Sequence, residues 1–313
     1  MPNGLHHVTA IAGPAQRNLD FYRRVLGQRF VKKTVNFDDP GTYHFYFGDA
    51  AGRPGTIMTF FPWANAAPGR IGAGETQETV YRVPEGALPF WQKRLEAEGV
   101  SVGATETRFG EPVLPFRDPD GMGLALVGLS GIESEDAWGS PGIAPEHALR
   151  GFQGVRLLLG ETTRTAAILQ DVFGFRETGR ERDVVRFTAD GVALGNTIDL
   201  HAPGNAGRGR AGAGSVHHIA FRAADDAEQA GMAGKLRSGH GVHSTEQRDR
   251  DYFRSIYFRE PGGVLFEIAT DQPGFAVDEA PDSLGTALKL PKGLERHRAE
   301  IEKVLPPLDG AQG

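Results

Sequence analysis

Two histidine doublets sit in strand-like settings 211 residues apart, one in GLHHVTAIAG (residues 4–13) and one in GSVHHIAFRA (residues 214–223). A third polar residue of the same kind, Glu267, interrupts the apolar run GGVLFEIATD (residues 262–271). Imidazole is a proton carrier near neutral pH and a frequent metal ligand. A carboxylate in a half-buried strand is unfavourable unless it is paired or ligated. Side chains alternate along a strand, so Leu5, His7, Thr9 and Ile11 share one face while His6, Val8 and Ala10 share the other. His218 and Ala220 likewise oppose His217, Ile219 and Phe221. If helices cover the face that carries Val8, Ile219 and Phe221, the inner face holds His7, Thr9, His218 and Glu267, and alternation turns His6 and His217 away. Two imidazoles and one carboxylate, with no thiolate, suit a non-heme Fe(II) centre with open positions for substrate and O2. Mn(II) or Zn(II) suits the same donors.

The elements that must position these residues recur. FRDPDGMGLAL (116–126) returns as FREPGGVLFEI (258–268), and FYRRVLGQRF (21–30) resembles LQDVFGFRET (169–178). The period is about 60–75 residues, a length that marks a repeated supersecondary unit. Each unit opens on a short strand, continues into a helix (16–26, 88–98, 162–173, 226–237) and ends in strands joined by turns rich in Gly, Pro and Asp. The expected fold is therefore α+β, with four βαβββ modules in two domains. Residues 1–147 hold one pair of modules, 148–271 the other, and 272–313 form an extension with a helix at 293–304. GRIGAG (69–74) and GRAGAG (209–214) precede strands. A phosphate loop needs a helix after it, so these are read as connections between units.

Composition removes several function classes. The chain of 313 residues carries a net charge of −6 and shows no basic stripe, so neither nucleic acid nor an anionic membrane has electrostatic support. It has no cysteine, which excludes disulfides, thiolate metal sites and a cysteine nucleophile. No signal-peptide pattern and no membrane-length apolar run is present, and the expectation is a cytoplasmic protein. A homo-oligomer is compatible with the sequence.

The βαβββ repeats and the placement of His and Glu resemble the vicinal oxygen chelate superfamily, which includes glyoxalase I, extradiol dioxygenases and bleomycin-resistance proteins. The resemblance covers residues 1–271. Catechol-cleaving members take all three ligands from the C-terminal half, but the matching position of the third module here is Gly154. The resemblance is thus narrowed to hydroquinone-type ring-cleaving dioxygenases, in which the first and fourth modules pair. It implies His7, His218 and Glu267 as the ligands of Fe(II), and O2-dependent cleavage of a small aromatic diol, as in the degradation of aromatic compounds. RDRDYFRSIYFREPGG (248–263) offers Arg250 and Tyr257 where that family places an Arg and a Tyr. His217, Tyr257 and Arg250 are implied as aids to proton transfer and charge stabilisation, with His6 and Thr9 as further members of the site.

Two rivals remain. A glyoxalase-like lyase or isomerase uses a carboxylate from each paired module, and the first module supplies Thr59 instead. A metal-free sequestering module has no need of the His, His, Glu set. The second and third modules offer Glu78, Ala125, Gly154 and Asp199 at the corresponding positions, so one metal site per chain is expected.

Overall fold

The structure, a computed structural model, describes residues 3–309. Four modules follow one another. The first is β1 (Leu5–Ala12), α1 (Ala15–Asp20), β2 (Arg29–Val35), β3 (Tyr43–Gly48) and β4 (Ile57–Pro62). The second is β5 (Glu75–Pro84), α2 (Leu88–Ala97), β6 (Glu106–Arg108), β7 (Glu111–Arg117) and β8 (Gly123–Leu129). The third is β9 (Phe152–Leu158), α3 (Thr163–Asp171), β10 (Arg176–Glu181), β11 (Val184–Thr188) and β12 (Thr197–His201). The fourth is β13 (Ser215–Ala223), α4 (Asp226–His240), β14 (Arg248–Asp249), β15 (Arg254–Arg259) and β16 (Leu265–Thr270). All four are βαβββ, and the fold is the α+β vicinal oxygen chelate arrangement.

The strands form two curled eight-stranded sheets. One has the order β14-β15-β16-β13-β1-β4-β3-β2 and the other β10-β11-β12-β9-β5-β8-β7-β6. The first and fourth modules thus share a sheet, joined antiparallel at β1 and β13, and the second and third share the other, joined at β5 and β9. The sequence boundary near residue 147 does not separate the sheets, since each takes one module from either side of it. GRIGAG and GRAGAG run against each other, with Arg70 and Arg210 exchanging backbone hydrogen bonds of 2.8 Å. A Cβ on Gly72 would lie 2.1 Å from the Gly209 nitrogen, so the strand-like crossing needs glycine there. They are connections, as read.

Local chemistry explains the module boundaries. In α4, Asp225 accepts the Glu228 N–H at 2.9 Å and Gly241 ends the helix at φ 63°. The repeated turns DPDG and EPGG each bury their first acid. Asp118 accepts the Asp120 and Met122 N–H groups, and Glu260 accepts those of Gly262 and Val264. The first helix is shorter than expected, because Phe21–Val25 widens into a π-helical turn. The expected helix at 293–304 divides into a 3-10 segment, Lys292–His297, and α5 (Arg298–Val304). Among the described residues no helix is long and apolar enough to cross a membrane.

Val8, Ile219 and Phe221 face the helices in the main core, with Leu19, Trp91, Ile168 and Leu236. The opposite, concave face of the first sheet carries a separate apolar cluster that includes Tyr46, Tyr252, Phe253 and Phe275. Phe275 belongs to the C-terminal extension, which closes the bottom of this concavity. Its anchor is Lys32 of β2, fully buried, 2.6 Å from Asp278 and 2.5 Å from Glu279. Tyr252 adds a hydrogen bond to Asp278 and lends its ring to the lysine cation. Removing one partner of a buried ion pair leaves the other uncompensated. Lys32→Met should therefore lower stability by about 3–5 kcal/mol, read by chemical denaturation, and hydrogen exchange should show protection lost first across residues 272–290.

Candidate metal centre

β1 and β13 meet in register, but with two irregularities. Leu5 faces Phe221 and His7 faces Ala220, so His6 is an extra residue on β1. Thr9 faces His218 and Ala10 faces Val216, so His217 is an extra residue on β13. Each doublet thus contains a β-bulge, a device that re-aims a side chain beside a functional site. Strict alternation fails at these two points. His6 Nδ1 lies 2.9 Å from His7 Nδ1, and His217 Nδ1 lies 2.7 Å from His218 Nδ1.

The inner-face residues converge. His7 Nε2 is 3.3 Å from His218 Nε2 and 3.4 Å from Glu267 Oε2, and His218 Nε2 is 2.9 Å from the same oxygen. All three residues are buried. The other carboxylate oxygen accepts from the Ser255 hydroxyl. Oε2 itself has no aligned hydrogen-bond partner, despite its near neighbours. Three donor atoms held about 2.1 Å from one cation at right angles lie about 3.0 Å apart, so these separations are those of three ligands on one ion. The His-His-Glu group could hold a metal.

Protonation states agree with that geometry. His6 is held well below the usual imidazole range by burial first and by His7 second. Its Nδ1 meets His7, and the Thr270 backbone acts in the raising direction. A His7 that ligates through Nε2 carries its proton on Nδ1, where His6 Nδ1 stands to accept it. Burial lowers His218 too, and lowers His217 to about 4, with the neighbouring His218 as the next cause. Burial alone would raise Glu267, but His7 and His218 bring it well below the ordinary carboxylate range.

The group lies in a cavity of about 410 Å3, walled by Phe37, Phe61, Trp63, Phe253 and Leu265. Thr9, His217, Arg250 and Tyr257 also line it, whereas His6 sits behind His7 and outside that wall. Arg250 Nε donates to the Tyr257 hydroxyl at 3.3 Å, and its guanidinium lies 3.8 Å from Asp38. Burial, then Glu267, pushes Tyr257 up, so its hydroxyl stays protonated.

Sequence reasoning missed several groups. His44 and Tyr46 of β3 line the cavity, and Ser255 of β15 stands behind Glu267. The module equivalence could have found them. Thr59 pairs with Thr9 and with Tyr46 as Glu267 pairs with Ala220 and with Tyr257. Tyr46 therefore corresponds to Tyr257, and His44 to Ser255. In the second sheet the corresponding space has closed to about 10 Å3. Arg108 pairs there with Glu78, and Arg186 with Asp199 and Glu111. A Cβ on Gly154 would lie 1.6 Å from the Thr197 oxygen, so no side chain fits at the third-module position.

Burial, then His218 and His7, holds His44 well below 6.5. In the metal-free protein the unfolded chain takes up a proton on this residue below pH ~6.5 that the folded chain refuses. Stability should fall as pH drops through that window, and His44→Gln should remove about 1.4 kcal/mol per pH unit from the slope, measured by urea denaturation between pH 7 and 5.

Comparison with known proteins agrees with the architecture. Residues 4–126 and 151–268 match the family described as the glyoxalase/bleomycin resistance protein/dioxygenase superfamily. MhqO of Bacillus subtilis (strain 168), whose name gives it provisionally as a ring-cleaving dioxygenase, is 49% identical over 98% of this chain and 96% of its own. A chlorohydroquinone/hydroquinone 1,2-dioxygenase of Sphingobium indicum is 34% identical over 96% of this chain and 95% of its own. A crystal structure from Bacillus subtilis, 48% identical, superposes with a TM-score of 0.94 over 100% of this chain and 99% of that one.

Proposed function

The chain belongs to the glyoxalase/bleomycin resistance protein/dioxygenase superfamily, and we propose that it is a ring-cleaving dioxygenase acting on a hydroquinone-type aromatic diol with O2. The observation that carries this reading is the convergence of His7, His218 and Glu267 in an aromatic-walled cavity, with Glu267 Oε2 lacking an aligned partner. The relatives named for ring cleavage, one of them for hydroquinones, support it. The proposed ligands are these three residues and the proposed ion is Fe(II), with Mn(II) and Zn(II) suited to the same donors. Such an ion supplies a conduit for electrons between an aromatic ring and O2 and acidifies a phenol.

The chain's own groups do the remaining work. With His7 and His218 ligating through Nε2, each would carry its proton on Nδ1, and His6 and His217 stand to accept those protons and fix the rings. Phe61, Trp63, Phe253 and Leu265 form an apolar slot that excludes water around a planar ring. Tyr257 accepts from Arg250 and so directs its own proton into the cavity, where it stabilises charge on a substrate oxygen. A hydroquinone has its second hydroxyl across the ring and cannot chelate through two adjacent oxygens, so hydrogen bonds must orient it. The glyoxalase-like alternative needs a second carboxylate, but Thr59 is buried, neutral and bonded to Thr9.

Elemental analysis should find about one divalent metal per chain, lost on changing His7, His218 or Glu267 to Ala. With Fe(II), O2 uptake should accompany opening of a para-hydroquinone ring. Tyr257→Phe or Arg250→Ala should lower kcat/KM by ~10²-fold with metal retained. Isomerisation of a hemithioacetal without O2 uptake on any hydroquinone or catechol would refute the reading.

A further inference from the structure

Four side chains form a hydrogen-bonded file that ends beside the centre. The Tyr46 hydroxyl lies 2.9 Å from His44 Nδ1, His44 Nε2 lies 2.7 Å from Thr59 Oγ1, and Thr59 Oγ1 donates to Thr9 Oγ1 at 3.1 Å. All four residues are buried. A threonine has one hydroxyl hydrogen. Thr59 spends its hydrogen on Thr9, so it must accept from His44, and His44 carries its proton on Nε2. His44 is neutral, with its basicity suppressed by burial and then by His218 and His7. Its Nδ1 is therefore bare and accepts from Tyr46. The file has a single direction, from Tyr46 through His44 and Thr59 to Thr9.

This direction leaves one hydrogen unspent. Thr9 accepts from Thr59, and among the described residues no acceptor takes its own hydroxyl proton. Thr9 stands two residues from His7 on β1, opposite His218 on β13, and in the wall of the cavity. We infer that the Tyr46–His44–Thr59 file holds the Thr9 hydroxyl as an obligate donor to an anionic oxygen of the aromatic ligand in the cavity. The inference rests on the function proposed above. Thr9 touches the ligand, and Tyr46, His44 and Thr59 are positioning residues. The device occupies the first-module position that corresponds to Glu267 and Ser255, so the two halves of the sheet present opposite hydrogen-bonding characters: an acceptor from the fourth module and a donor from the first. A phenolate oxygen is the chemistry that such a donor recognises, because a hydrogen bond to a charged acceptor is the stronger kind.

The test is anaerobic titration of the metal-loaded protein with hydroquinone, followed by the ultraviolet absorption of the bound phenolate, with metal content measured in parallel. Thr9→Val, Thr59→Val, Tyr46→Phe and His44→Phe should each raise Kd ~10-fold, the loss of one charge-assisted hydrogen bond, and should weaken the phenolate absorption while metal stays bound. His44→Gln should keep Kd within ~3-fold, because its amide donates to Thr59 and accepts from Tyr46 as the imidazole does. Tyr46→Phe combined with Thr9→Val should bind no worse than Thr9→Val alone, since members of one file are coupled. An unchanged Kd in Thr9→Val with full metal overturns the inference, and so do losses that multiply in the double variant. Failure of the wild-type protein to hold metal overturns the proposed function itself, and is read separately from the variants.

Discussion

The antiparallel seam between β1 and β13 is the interaction on which the rest of the structure depends. It brings residues near the start of the chain beside residues more than two hundred positions later, and it alone places His7 against His218. Each ligand strand is flanked on its far side by a parallel partner, β4 or β16. The flanking pair supplies Thr59 from one module and Glu267 from the other. A slip of the seam by one residue would turn His7 and His218 into the helix-packed core. The two bulges pin that register. They also bring the outer histidine of each doublet to the back of the inner one, within hydrogen-bond distance of its Nδ1.

A near-symmetric frame has thus been given an asymmetric lining. Thr59 with His44 takes in the first module the place that Glu267 with Ser255 holds in the fourth, and Thr9 takes the place of Ala220. The second sheet has the same frame, and its matching space is filled by guanidinium–carboxylate pairs instead. Arg186 there meets both Asp199 and Glu111. Each buried charge in that space is paired, which satisfies it and closes the space to a ligand. The contrast shows why one pair of modules can be a site while the other is a scaffold: the fold supplies convergence, and the side chains decide whether a gap is left.

Much of this was legible in the sequence. The repeated FRDPDG and FREPGG segments mark equivalent turns because an acid in that turn caps backbone N–H groups in both copies. Glu267 was legible because a carboxylate in an apolar strand demands a partner. Pairing of the outer modules followed from the ligand set once a family resemblance was allowed, and not from periodicity. The placing of His6 and His217 was not legible, because a period of two residues assumes an unbroken ladder and a bulge leaves no mark in composition. His44 lies in the strand YHFYFG, which is buried throughout, and nothing in its neighbours distinguishes it from a packed histidine. Only the register of β3 on β4 shows that it occupies the place of Ser255. The extension was legible as an addition to the repeat, but its role as the floor under Tyr46 and Phe253 needed the partners of Lys32.

The balance of charge in the lining bears on the chemistry. Two imidazoles ligating as neutral rings and one carboxylate would present a single negative charge to a divalent ion, which would retain a net positive charge. A retained positive charge favours an ionised phenol over a neutral one. A second carboxylate in place of Thr59 would cancel it and would also repel the phenolate. The neutral Thr59, held by His44, would leave that charge uncompensated, and the direction of its hydrogen bond sends a donor through Thr9 towards the cavity. Arg250 and the protonated Tyr257 act from the fourth module in the same sense. Groups from both halves of the sheet thus favour an anion in the cavity, while the aromatic walls require that the anion be planar and otherwise apolar. An aromatic diol that ionises at one oxygen meets both demands.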